Sequence, residues 1–269
     1  MDRSNTDNTS ATPLPSFFNP PINEVVCGMR FQTPEKLRIP HIGLFWEKIN
    51  TDYPVIQHAP PIASVKGEIP IDQESGLPLQ RVWFINKSDD QLIQFQFDRF
   101  YFNWRRRKKE YPRYHYVIEQ FENILRKMQS FFKELELGDI NPIEYELSYI
   151  NHIVKGEGWE TIDDFSNIFS DFVWTQRKGQ FLPNPDNINW KAEFPLEEKM
   201  GRLSISLKQA IRTEDKVPLL VFELNAHGIN ELADINTFRN WYDIAHKWIV
   251  KGFTDLTTSN AHRIWKRKQ

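Results

Sequence analysis

Five carboxylates fall in stretches that read as β-strands: Glu24, Asp98, Glu144, Glu146 and Glu223. Two such groups brought together could act as an acid–base pair in a hydrolase, as at a glycosidic bond. Arg30, Arg81 and Arg99 lie in stretches of the same kind, however. A row of cross-strand ion pairs needs only alternation and opposite signs, and that is the expected use. A second chemistry is carried by charge. Arg105, Arg106, Arg107, Lys108 and Lys109 are consecutive, follow Trp104 and precede Tyr111, Arg113 and Tyr114. Five adjoining cations among aromatics can track a phosphate backbone. The plain use of such a run is a solvated connection between two elements. His262, Arg263, Lys266, Arg267 and Lys268 form a second basic group around Trp265.

Other chemistries lack their residues. None of the seven histidines pairs at the i, i+4 spacing of a helical metal site, and no HExxH is present. Cys27 is the single cysteine, which excludes a disulfide and a Cys-rich zinc site. In an apolar strand it reads as a small buried hydrophobe. His152 and His227, near strand ends, read as hydrogen-bonded structural histidines. There is no GxSxG, Walker loop or GxGxxG, and the eleven glycines do not cluster. No metal, no cofactor and no catalytic residue is therefore expected, and the balance is against an enzyme.

These residues must be positioned by 269 residues that are 40% hydrophobic and 14% aromatic, with nine Trp and twenty Phe to fill a core. A formal net charge of −2 gives no whole-chain argument for a nucleic acid or a membrane. No run approaches the roughly 18 apolar residues that cross a bilayer. The polar N-terminal stretch is unlike a secretory signal, so a cytoplasmic location is expected.

The element order repeats. Residues 1–16 read as a disordered lead. Residues 22–31 alternate as a strand, and a helix is expected from Thr33 to Ile49, with Pro40 a point where it could split. Extended stretches follow at 55–65, 80–86 and 92–104, the last two forming a hairpin. A long helix has Val117, Phe121, Ile124, Met128, Phe131 and Leu135 on its buried stripe. Then come a strand at 142–154, a helix at 161–172, a loop at 175–187, strands at 189–196, 202–212 and 217–228, and a last helix at 236–256. Thr161 and Asp164 stand at capping-box spacing.

This gives an α+β fold of two duplicated β-α-β-β-β-α units, 17–138 and 139–258, followed by a basic C-terminal tail at 259–269. Joined edge to edge, the units would form a mainly antiparallel sheet with helices on one face. Its open polar face would carry Gln94, Gln96, Ser204, Ser206 and Lys208. In element order it is similar to TATA-binding-protein-like and SecB-like folds, an analogy that carries no function.

Four segments carry a family resemblance: NPPINEVVCGMRF at 19–31, RVWFINKSDDQLIQFQFDRFYFNW at 81–104, SYINHI at 148–153 and AHRIW at 261–265. In these the chain resembles an uncharacterised, sporadically distributed bacterial family, over nearly all its length after the lead. The resemblance implies an accessory role, as in mobile defence or toxin neutralisation, and brings no reaction or cofactor.

Three readings follow. The favoured one is a non-catalytic binding or adaptor protein that takes a protein partner on its sheet or helical face, with Phe100, Tyr101 and Phe102 as exposed contacts. The second is nucleic-acid binding through residues 105–109 and the tail. The third is a hydrolase using strand carboxylates. Free sheet edges would also admit a homo-oligomer.

Overall fold

The structure is a computed structural model that describes residues 13–63, 69, 71, 76, 78–108, 110–172, 179, 181–229 and 238–268. Residues 1–12, most of the expected lead, lie outside the described residues. So do Lys109, residues 64–65 of an expected extended stretch, 173–178 and 236–237.

Strand β1 (Ile22–Phe31) buries Val25, Cys27, Met29 and Phe31 on one side, as its alternation requires. Helix α1 (Ile39–Ile49) begins later than Thr33, and Pro40 opens it rather than splitting it. In a first turn the missing N–H has no carbonyl to meet, so proline is tolerated there. Strands β2 (Val55–Ala59) and β3 (Arg81–Ile85) follow.

The stretch expected as one strand over 92–104 is two strands. β4 (Gln91–Gln96) and β5 (Arg99–Arg105) reverse through a tight turn at Phe97 and Asp98. The cause is visible in the pattern. Core residues sit at odd positions through Ile93 and Phe95, then at even positions from Phe100 through Phe102 and Trp104. A straight strand cannot change the phase of its period, so the chain turns where the phase does.

Helix α2 (Tyr114–Glu134) buries the expected stripe from Val117 to Phe131, while Leu135 lies just beyond its end. In the second half, β6 (Pro142–Val154) has the expected bounds. Where a helix was expected next, there is only a 3-10 turn at Ile162–Asn167. Asp164 closes it by accepting the backbone N–H groups of Thr161 at 2.9 Å and Glu160 at 3.0 Å. These bonds hold its carboxyl below the usual range. Strands β7 (Asn189–Pro195), β8 (Arg202–Ile211) and β9 (Pro218–Gly228) lead to α3 (Phe238–Leu256). The expected tail instead holds α4 (Ser259–Ile264), with Ala261 and the following Trp265 buried.

One nine-stranded sheet results, in the order β2-β3-β4-β5-β1-β6-β9-β8-β7, with every neighbouring pair antiparallel. β1 and β6 pair at its centre. In each half the last strand returns beside the first, and a long helix crosses back over both. α2 lies on β1 and β5, and α3 on β6, β9 and β8. The halves share a single core cluster. At their join Phe121 meets Tyr242 with ring centroids 5.5 Å apart, and Tyr114 stacks on His246 at 3.9 Å. Among the described residues no helix is long and apolar enough to cross a membrane.

Candidate functional site

The register decides which carboxylates meet. On the sheet face away from the helices, Glu24, Ile150 and Glu223 form one row across β1, β6 and β9. Two rows further along stand Gly28, Glu146 and His227. A side chain at Gly28 would collide with the ring of Tyr101, which therefore crosses β1 at this one position. Its hydroxyl donates to Glu146 Oε2 at 3.1 Å. Asn225 Nδ2 donates to Glu146 Oε1 at 2.7 Å and to Ser148 Oγ at 2.6 Å, and Ser148 donates to Glu223 at 3.3 Å. On the other side, Arg81 donates to Gln94 at 2.7 Å, Gln94 to Asn103 at 2.8 Å and Asn103 to Glu24 at 2.7 Å.

The expected row of ion pairs is thus only partly present. Arg30 pairs with Glu144 at 3.2 Å and Arg99 with Asp98 at 2.9 Å. Among the described residues Glu24, Glu146 and Glu223 have neutral donors and no ion pair. Burial raises the pKa of Glu24 and Glu146 above the usual carboxylate value, with the amide hydrogen bonds opposing it.

The residues expected to form an open face divide between the halves. Gln94 and Gln96 do lie on it, but both are buried. Gln96 accepts the Ile62 N–H at 2.8 Å and donates to the Ile62 carbonyl at 3.0 Å, so the chain after β2 covers the face there. Ser204 and Ser206 are half-buried and Lys208 is exposed, so free polar surface lies on the second half. Phe100, Tyr101 and Phe102, expected as exposed contacts, are also buried. Phe100 and Phe102 fall on the core side because the phase changes at the β4–β5 turn.

His227 accepts or donates one hydrogen bond, with Asn225 at 3.0 Å, as expected. His152 does not fit that expectation, since its Nδ1 is buried with no partner among the described residues. Cys27 is free and fully buried. Among the described residues no group of three or more His, Cys, Asp or Glu is placed to hold a metal.

The basic run is partly tied down. Asp89, in the β3–β4 turn, pairs with both Arg105 and Arg107, the latter at 2.6 Å. Arg106 donates to the Pro20 carbonyl at 2.9 Å, and Lys108 is exposed.

A cleft of about 590 Å³ lies on the helical face of the second half. Phe194 of β7 with Leu203 and Ile205 of β8 make its floor, and Trp248, Gly252 and Leu256 of α3 its wall. Its rim carries both signs of charge, Lys251 and Asp255 among them. In the first half the corresponding place, over the outer strands and beside the long helix, is filled by α1. Phe45 of α1 packs against Phe84, Phe95, Phe100 and Phe131, with centroids 5.5–6.4 Å apart. Sequence periodicity gave no sign of this cleft, because Trp248 reads as one more residue of the buried stripe.

No protein-family model, curated protein or solved structure matches the chain.

Proposed function

We propose that this protein is a binding module that takes an amphipathic helix of a partner protein into the cleft between α3 and β7–β8. The observation that carries the reading is internal. The two halves, of five and four strands, share the return of the last strand beside the first under a long helix, and the place that α1 fills on the first half is a cleft on the second. Helix-in-groove recognition uses apolar anchors at helical spacing, and α1 shows the kind that suits this plan: Ile42, Phe45 and Ile49. An accessory role in a mobile defence or toxin-neutralising module, which the bacterial family resemblance implies, would suit a protein of this kind.

A fluorescein-labelled peptide of residues 38–53, the α1 segment itself, is the direct probe. Its anisotropy is expected to rise when the full chain is added. Trp248→Ala, which strips the wall, and Gly252→Leu, which fills the cleft, should each abolish the rise. No rise at about 1 mM protein, where a contact worth about 4 kcal/mol is half-saturated, would overturn the reading. So would binding that neither substitution changes.

A further inference from the structure

Two basic groups that are far apart in sequence are side by side in the fold. The segment 17–20 joins them. On one side Phe17 forms an antiparallel bridge with Arg267. The Phe18 N–H donates to the Lys266 carbonyl at 2.9 Å, and the Lys268 N–H to the Ser16 carbonyl at 2.8 Å. On the other side Arg106 donates to the Pro20 carbonyl and Arg113 to the Phe17 carbonyl, both at 2.9 Å. A cleft of about 240 Å³ opens here, lined by Phe18, Asn19 and Pro20 and by Arg106, Arg107 and Lys108.

The charges in this region can be sorted by what each already does. Asp89 neutralises Arg105 and Arg107, and Glu110 contributes one anion to the cleft wall. Arg113, Arg263 and Arg267, though exposed, spend a guanidinium nitrogen on Phe17, Asn260 and His262, which leaves Lys108, Lys266 and Lys268 exposed with neither an ion pair nor a side-chain hydrogen bond among the described residues. Lys268 Nζ lies 4.5 Å from the centroid of the Phe18 ring, which is 59% exposed. Arg106 Nε is buried and has no hydrogen-bond partner among the described residues.

We infer that this surface binds single-stranded nucleic acid, with Lys108, Lys266 and Lys268 taking phosphates and Phe18 stacking on a base. Free cations in a cleft and beside its Phe18 wall suit a chain of phosphates better than a single anion. An exposed ring among them is the platform that an unstacked base requires, which a duplex does not offer. The concavity argues against a lipid surface, which is flat on this scale. The chain's net charge of −2 does not oppose the inference, because the field of a local patch governs the encounter.

The test uses the full chain and a fluorescein-labelled oligothymidylate longer than the roughly 4–16 nucleotides that one such surface covers. Three neutralised phosphates predict a slope of about −2 for log K against log salt, at about −0.7 per phosphate on single strands. The triple variant Lys108→Glu, Lys266→Glu, Lys268→Glu alters only exposed side chains, and circular dichroism verifies its fold. It should bind at least about tenfold more weakly, with a slope near zero. Phe18→Ala should weaken binding several-fold and leave the slope unchanged. The inference fails if the wild type shows no anisotropy change at low salt, or if the triple variant binds as well as the wild type. It also fails if vesicles containing phosphatidylserine are bound while the oligonucleotide is not.

Discussion

At the scale of single residues, Glu24 and Glu146 bear the cost of the polar lattice. Each is a half-buried carboxylate satisfied by neutral donors, and the loss of solvent around it raises its pKa above 4.5. A raised folded-state value means that the native state binds the proton more tightly than the unfolded chain does. Their contribution to stability therefore falls as pH rises from about 4.5 through the folded values. Glu24→Gln with Glu146→Gln removes that dependence while keeping an acceptor oxygen. Thermal unfolding of the variant should gain on the wild type progressively as pH rises above 4.5. A constant difference over that range would show that the two groups do not titrate as described. The sequence displayed these carboxylates as strand residues, and there its information stopped. Which of them meet depends on the β1–β6–β9 register, and Gly28 acquires a role only once Tyr101 is seen to cross it.

At the scale of elements, α2 and α3 meet through Tyr114 and His246, stacked with an interplanar angle of 8°. The Tyr114 hydroxyl donates to Asp243 at 2.8 Å. Burial between the helices lowers the His246 pKa from 6.5 to about 4, with His115 adding to the effect and Asp243 opposing it. The folded-state value is depressed, so the stability that neutral His246 gives is full above pH 6.5 and is lost as pH falls through about 4. His246→Phe keeps a stacking ring without a titrating nitrogen. Its unfolding midpoint should lose less than the wild type's on acidification from pH 7 to pH 4.5, and equal losses would contradict the account. Elements were legible wherever periodicity was unbroken, as in β6 and α2. They were misread where the signal was a change of pattern. The phase change between Phe97 and Phe100 marks the β4–β5 turn, and Ala261 and Trp265, four apart, mark the buried side of α4. Pro40 was ambiguous by nature, because proline both starts helices and interrupts them.

For the whole molecule, the likeness of the halves was legible as element order only in outline: the first half has five strands instead of four, the second has a 3-10 turn in place of its first helix, and the consequences needed the fold. The cleft beside α3 shows only when the halves are compared in space, and the basic surface only when residues 17–20 lie between the two runs. The halves are also not separable units. Each contributes one strand to the β1–β6 ladder and one helix to the α2–α3 contact, and the core is continuous across both. A half alone would present β1 or β6 as a long apolar edge. Fragments 13–138 and 139–268 expressed apart should therefore fail to give dispersed amide spectra, while mixing them during refolding should restore the native spectrum. A well-dispersed spectrum from either fragment alone would refute this.

The return of each half's last strand to lie beside its first also sets an order in time. β1 leaves the ribosome before both of its neighbours, since β5 completes only at Arg105 and β6 only at Val154. Long loops must close before these pairings add stability, which is the condition for slow, non-local folding. During that interval Val25, Cys27, Met29 and Phe31 have no native cover. The strand at the centre of the finished sheet is the one that a nascent chain must keep from aggregating for longest.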